Sequence, residues 1–276
     1  MNATGYARAE VFGVSHQGVI RKENEDRFAI ASLRKSIQVM HANVEGLQNL
    51  ERGAGSEALL MLVADGVGGN EGGAEASSQA ATTIMTYLAS VSSCFSKRDA
   101  DAEHEFMEQL EAGLHRAHER VSQAGADRRR PPATTLTMAL MVKSRAYIVH
   151  VGDSRAMYLR KSRLRVLTRD QTMAEELLDM GALTEEQAAK SSLTHQLVSA
   201  VGGSQMTPSL GLVDLQRDDM FLLCSDGLTK HVSNDRITTV LGQGTGVEQM
   251  CTQLLEEALA GGGSDNITVV LARMLA

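Results

Sequence analysis

Ala58-Leu59-Leu60-Met61-Leu62-Val63-Ala64 contains no polar side chain and stops at Asp65-Gly66. The run is too short to cross a bilayer, and its length suits a strand buried on both faces. The same arrangement recurs: Tyr147-Ile148-Val149-His150-Val151 stops at Gly152-Asp153, and Met220-Phe221-Leu222-Leu223-Cys224 stops at Ser225-Asp226-Gly227. Near the end of the chain Asp265-Asn266 opens into Ile267-Thr268-Val269-Val270-Leu271. A carboxylate at the mouth of a buried strand is costly unless a positive charge lies beside it. If the four aspartates converge, a hard cation is the expected compensator.

Outward from these runs, apolar periodicity predicts further strands over 11–15, 27–31, 134–142, 155–160 and 164–167. It predicts helices over 75–91, 101–123, 173–180, 185–190, 235–241 and 247–259. The four strands between 134 and 167 have tight polar connections, which predicts an antiparallel meander. Residues 33–57 have no clear period and read as an inserted surface loop. Helices come in pairs between groups of strands, so the simplest packing is antiparallel sheets inside and helices outside. No stretch has linker composition, and residues 1–276 are read as one domain.

The chain has 276 residues and a net charge of -7, which argues against nucleic acid as a partner. There is no Trp, so Met, Leu, Val and Ala must fill the core. Cys94, Cys224 and Cys251 have neither metal-site nor redox spacing. Cys224 reads as a small core residue, and the pattern suits a reducing cytoplasm. The start of the chain has no stretch resembling a signal peptide, and no membrane partner is expected.

Mg2+ and Mn2+ prefer oxygen ligands, and aspartate is short, rigid and acceptor-only when ionised. Gly66 and Gly227 each follow an aspartate and allow a sharp turn. Singly, each Asp-Gly is no more than a turn; four aspartates against apolar runs point to metal. Arg21-Lys22-Glu23-Asn24-Glu25-Asp26 adds two acids and a guanidinium whose fork matches phosphate oxygens. The glycine-rich stretch 65–73 lacks the Gly-Lys-Ser/Thr of a phosphate loop and the spacing of a dinucleotide fingerprint. It reads as a turn that shapes the metal site. No Gly-x-Ser-x-Gly elbow is present. His115 and His118 are expected on a polar, solvated helix face, and Arg128-Arg129-Arg130 in a solvated loop.

These motifs, in this order, resemble the metal-dependent Ser/Thr protein phosphatases of the PPM or type 2C family. The resemblance is carried by Arg21…Asn24-Glu25-Asp26, Val63-Ala64-Asp65-Gly66-Val67-Gly68-Gly69, Val151-Gly152-Asp153-Ser154-Arg155, Cys224-Ser225-Asp226-Gly227-Leu228 and Ser264-Asp265-Asn266-Ile267-Thr268. It covers residues 11–272. It implies an α+β fold, a four-layer α-β-β-α sandwich of two antiparallel sheets flanked by helix pairs. By the same resemblance Asp65 bridges two core Mn2+ or Mg2+ ions and Gly66 offers its carbonyl. Asp226 and Asp265 complete one ion's shell, and Glu25 and Asp26 hold the other side. Asp153 with Asp226 matches a third, weaker metal site of bacterial members. Arg21 binds the substrate phosphate. Animal members carry a histidine where this chain has Val67, so the general acid is unassigned. Residues 170–201 correspond to a mobile flap beside the site.

The function implied is hydrolysis of phosphoserine and phosphothreonine in proteins by metal-activated water. The partners implied are phosphorylated proteins and a cognate bacterial Ser/Thr kinase, with type VI secretion control as one setting. A cytoplasmic monomer is expected. The alternative is a catalytically silent relative that binds or regulates partners; no metal aspartate is missing to favour it.

Overall fold

Alternate residues of the strand Ala58–Ala64 point into two different cores. Leu60 and Leu62 pack with one set of buried side chains, Met61 and Val63 with another. A strand rotates successive side chains to opposite faces, so a strand covered on both sides must be apolar throughout. The computed structural model describes residues 9–33, 37–44, 58–67, 71–91, 100–125, 131–142 and 144–275.

The chain opens with β1 (Ala9–His16), β2 (Arg27–Leu33), β3 (Ile37–Ala42), β4 (Ala58–Ala64) and β5 (Gly66–Val67). Two long helices follow, α1 (Glu71–Ser90) and α2 (Ala100–Ala124). Next come β6 (Ala133–Thr134), β7 (Leu136–Val142), β8 (Arg145–Val151), β9 (Arg155–Arg160) and β10 (Arg163–Val166). Short helices α3 (Met173–Asp179) and α4 (Glu185–Ala189) and a 3-10 turn (Ser192–His195) precede β11 (Ser209–Asp214) and β12 (Met220–Cys224). The chain closes with α5 (Asp226–Thr229), α6 (Asn234–Leu241), α7 (Val247–Ala260) and β13 (Ile267–Met274).

One sheet has the order β1-β13-β12-β9-β10 and the other β11-β8-β7-β4-β2-β3, with every neighbouring pair antiparallel. Between the sheets, Phe28, Ile30, Met61 and Val63 meet Tyr158, Phe221, Leu223 and Val270. Ile84, Met85 and Leu88 of α1 and Leu110 and Leu114 of α2 cover the outer face of the six-stranded sheet. Ile237 and Val240 of α6 and Met250 and Leu254 of α7 cover the five-stranded sheet. The result is the four-layer sandwich expected. Each fully buried Leu or Met is worth about 1.5–3 kcal/mol of transfer free energy.

The expected meander is split. β7 pairs with β8 and β9 with β10, but the two pairs belong to different sheets. Gly152, at φ 105°, turns the chain from one sheet to the other. A Cβ there would fall 2.6 Å from Thr135 Cγ2, so only glycine fits both the backbone and the space. Hydroxyls absorb the polar groups of the crossover. Thr135 Oγ1 is 2.8 Å from Ser154 Oγ, and Thr137 Oγ1 donates to the Ser154 carbonyl at 3.0 Å.

The loop expected over 33–57 begins with a strand, because β3 pairs along β2 as an edge. Asn43 then accepts the Phe28 N–H at 2.7 Å and donates to the Asp26 carbonyl at 3.1 Å. Residues 45–57, Cys94 and Arg128-Arg129-Arg130 lie outside the described residues. His118 is not simply solvated: its Nδ1 accepts the Gly202 N–H at 3.1 Å, and burial lowers its pKa.

Candidate metal centre

The acidic strand mouths share one end of the sandwich. Asp65 follows β4 and Asp153 follows β8 in one sheet; Asp226 follows β12 and Asp265 precedes β13 in the other. With Arg21, Glu25, Gly66 and Lys230 they line an open cleft of about 680 Å³.

The backbone of this end is held by side chains whose role is geometric. Asp65 donates its N–H to Thr135 Oγ1 at 2.9 Å, and its carbonyl accepts from the Thr135 N–H and Thr134 Oγ1, both at 2.8 Å. The ribbon of β5 and β6 continues that registration into Gly66 and Val67. Gly66 passes so close to the first turn of α1 that a Cβ would fall 2.3 Å from the Gly73 carbonyl oxygen. Asn266 fixes the loop between β1 and β2. Its Oδ1 accepts the Glu25 N–H at 2.8 Å, and its Nδ2 donates to the Gln17 and Glu23 carbonyls at 2.8 Å.

One oxygen each of Asp65, Asp153 and Asp226 lies within 4.8 Å of the others. Beside them Asp26 is fully buried, its Oδ2 accepting from Ser225 Oγ and Thr268 Oγ1 at 2.7 Å each. Its Oδ1 has no protein partner among the described residues, and neither do the buried Glu25 Oε1 and Asp226 Oδ1. Ser225 precedes α5 as its N-cap without capping it, since its hydroxyl is committed to Asp26.

Burial pushes the Asp26 carboxyl up to about 7, with the Ser225 and Thr268 hydroxyls pulling the other way. Asp65 and Asp153 are raised well above the ordinary carboxylate range, by burial first. The Asp26 charge adds most to Asp65, and the Asp226 charge adds most to Asp153. Glu25 and Asp226 are also raised by burial; Arg21 offsets this at Glu25 and Lys230 at Asp226. Asp265 is the exception. Burial opposes its charge too, yet the Lys230 and Arg21 donors outweigh it and hold its pKa low.

Asp265 is in fact saturated with donors. Arg21 meets it side-on, Nε to Oδ1 at 2.7 Å and Nη2 to Oδ2 at 2.9 Å. Lys230 Nζ donates to Oδ2 at 2.7 Å, and the Asn266 N–H to Oδ1 at 2.9 Å. The guanidinium keeps Nη1 without a protein partner among the described residues, at the half-exposed rim of the cleft.

The structure thus brings Asp65, Asp153 and Asp226 together, sets Glu25 and Asp26 beside them, and ties Asp265 to Arg21 and Lys230. Orphaned carboxylate oxygens, aspartates that burial keeps from ionising alone, and an oxygen-only donor set fit a hard divalent cation. Sequence reasoning missed Lys230, His195 and His231, which also line the cleft. Lys230 was legible only through its i,i+4 spacing from Asp226. His231 is committed elsewhere, its Nε2 accepting the Ser264 N–H at 3.0 Å. The supporting hydroxyls of Thr134, Thr135, Ser225 and Thr268 had no sequence signal, since serine and threonine are common in every class of turn.

A four-layer sandwich gathers carboxylates at one end of its two sheets, an arrangement suited to divalent cations. The chain belongs to the protein phosphatase 2C family, whose profile matches residues 50–267. It is 33% identical over 219 residues to the serine/threonine protein phosphatase PstP of Mycobacterium tuberculosis, covering 78% of this chain and 40% of PstP. The chain therefore spans less than half the length of that relative. It is 30% identical to the protein phosphatase PhpP of Streptococcus pneumoniae, over 78% of this chain and 85% of PhpP.

Among solved structures, the serine/threonine phosphatase of S. agalactiae superposes with a TM-score of 0.81 at 26% identity, covering 97% of this chain and 100% of that one. The PstP catalytic domain, solved in complex with two manganese ions, gives 0.72 at 29% identity over 97% and 99% of the two chains. PppA of Pseudomonas aeruginosa, described as a key regulatory component of T6SS, gives 0.72 at 26% identity over 98% and 99%. Among the described residues no helix is long and apolar enough to cross a membrane.

Proposed function

We propose that this chain is a metal-dependent phosphatase that removes phosphate from phosphoserine and phosphothreonine in proteins. The observation that carries the reading is a set of buried carboxylate oxygens, unpartnered among the described residues, beside the Arg21 guanidinium in an open cleft. Family membership and the Ser/Thr phosphatase names of PstP and PhpP support the same substrate class.

Asp65, Asp26, Glu25, Asp226 and the Gly66 carbonyl would hold two core ions, and Asp265 would join them by exchanging the Lys230 donor on its Oδ2 for an ion. Bound Mn2+ or Mg2+ would lower the pKa of a water and neutralise charge on the phosphoryl group. The orphaned oxygens of Asp26, Glu25 and Asp226 are the donors ready for such ions. Arg21 would bind the substrate phosphate through Nη1 while its Nε–Nη2 edge stays on Asp265, which fixes the direction of the guanidinium. Residues 170–201, with α3, α4 and the 3-10 turn, place His195 and Leu197 on the wall of the cleft and would act as the substrate-facing flap.

The reading extends to a cytoplasmic, monomeric protein of one domain that opposes a Ser/Thr kinase. The likeness to PppA supports type VI secretion control as one setting. The complete carboxylate set supports an enzyme over a silent binding protein. The test is release of phosphate from a phosphothreonine peptide with and without Mn2+, with Asp226→Asn as control. Metal-dependent turnover lost in the variant is expected; equal rates in both proteins would overturn the reading.

A further inference from the structure

The connection between β1 and β2 puts two large aliphatic side chains into solvent beside the arginine at the rim of the cleft. Val19 is 65% exposed and Ile20 69%, and Arg21 follows them directly. Their backbone is pinned. Gly18 turns the chain at φ 81°, and a Cβ there would fall 2.1 Å from the Asp265 carbonyl oxygen. The Gly18 N–H donates to His16 Nδ1 at 2.9 Å, and the Val19 N–H to the Gly263 carbonyl at 2.7 Å. Asn266 Nδ2 donates to the Gln17 carbonyl at 2.8 Å.

The anchor of this loop is the wall of the cleft. Gly263 runs into Ser264 and Asp265, which line it. Val19 Cγ2 lies 2.9 Å from the point where a Cβ of Gly263 would stand. The two aliphatics form a ledge continuous with the cleft, flanked by the Gly263 turn and Arg21. Apolar surface held rigid and exposed can be covered by a ligand at little ordering cost. Two side chains are far too small for a stable protein interface, which needs about 800 Å² on each partner. They match one apolar side chain of a bound segment. An extended segment advances about 3.3–3.6 Å per residue, close to the step from Arg21 back to Ile20 and Val19. A segment whose phosphate sits at Arg21 therefore has side chains one or two residues away that reach the ledge.

We propose that Val19 and Ile20 select phosphoprotein segments that carry an aliphatic side chain within two residues of the phosphoserine or phosphothreonine. The inference rests on the phosphatase reading, with Arg21 at the phosphate, and goes beyond it by naming the sequence around the phosphorylated residue. The ledge is remote from the bond that breaks. Its contact adds binding energy to a peptide, read in kcat/KM, and adds nothing to a phosphate ester too small to reach it.

The experiment compares Mn2+-dependent kcat/KM of the full chain on phosphothreonine peptides. The peptides differ only in a leucine or a serine at each of the two positions on either side of the phosphothreonine. Leucine is expected to raise kcat/KM about tenfold at one or more of these positions. Val19→Ser combined with Ile20→Ser is expected to abolish that preference and to hydrolyse p-nitrophenyl phosphate as wild type does. Equal rates of wild type on leucine and serine peptides would overturn the inference, and so would a preference that survives in the double variant. A double variant equally slowed on p-nitrophenyl phosphate would overturn it too, because the loss would then lie at Arg21. If the double variant does not fold, Val19→Thr and Ile20→Thr decide, and a leucine preference unchanged in both contradicts the inference. A wild-type dimer in light scattering that the double variant dissolves would put a second copy on the ledge and overturn it. Wild type without Mn2+-dependent turnover of any of these substrates would defeat the phosphatase reading itself, and the inference with it, so the two failures are distinguishable.

Discussion

Strand β12 carries an aspartate at each end, and the two live by different rules. Asp219, just before the strand, is 2% exposed and completely served. Arg160 donates to its Oδ1 at 2.9 Å and to its Oδ2 at 2.6 Å, and the Gln216 N–H reaches Oδ2 at 2.7 Å. Asp226, just after the strand, has Lys230 on one oxygen and, among the described residues, nothing on the other. The residue type and the strand are the same; the supply of donors differs. A buried carboxylate whose acceptors are filled within the fold is structural. One whose acceptor is left open, among neighbours in the same state, has been kept for something the chain does not contain.

Breaking the open end should give the larger effect. Asp226→Asn is expected to lower Mn2+-dependent turnover of a phosphothreonine peptide about a thousandfold, ~4 kcal/mol in the barrier. The chelated variant should melt close to chelated wild type, because the change relieves repulsion among the buried carboxylates while it weakens the ion pair with Lys230. Asp219→Asn should do the reverse. It strips Arg160 of its ion pair and is expected to cost about 2–4 kcal/mol in urea unfolding, with kcat of the folded protein unchanged.

The pH dependence sharpens the same contrast. Asp26, Asp65 and Asp153 hold their protons more tightly folded than unfolded. Their contribution to stability is therefore fully present below the unfolded carboxylate value, about 4, and is lost as pH rises through the folded values. For Asp26 that value is about 7. Chelated protein should melt lower at about pH 8 than at about pH 5, and Mn2+ should reduce or reverse that difference. A chelated melting temperature that rises over this window would contradict the assignment. The smallest effect is expected at Ser225→Ala, which takes one hydroxyl from Asp26 Oδ2. About 1 kcal/mol of stability should go, and Mn2+ affinity should drop more in acid than in base.

The sandwich was readable because strands covered on both faces are apolar throughout, as in β4 and β12. The edge strand β11 was not: Leu210 and Leu212 are about half exposed and Gly211 lies between them, so no buried period marks it. The crossover at Gly152 was hidden as well, because tight polar connections look alike whether a chain stays in one sheet or changes sheets. At the site, the aspartates were legible because an acid beside an apolar run violates the usual economy of burial. Their supports were not. Lys230 and Asp265 are 35 residues apart, and only the fold shows that an ammonium serves both Asp226 and Asp265.

The central claim is that the empty oxygens at the Asp226 end of the sheets are metal ligands and the filled ones at the Asp219 end are not. Anomalous diffraction at the manganese edge, on crystals grown with Mn2+, tests it most directly. The predicted map has peaks within about 2.2 Å of carboxylate oxygens of Asp65 and Asp226, with none beside Asp219. A cleft without a manganese peak, in protein shown to bind Mn2+ in solution, would contradict it.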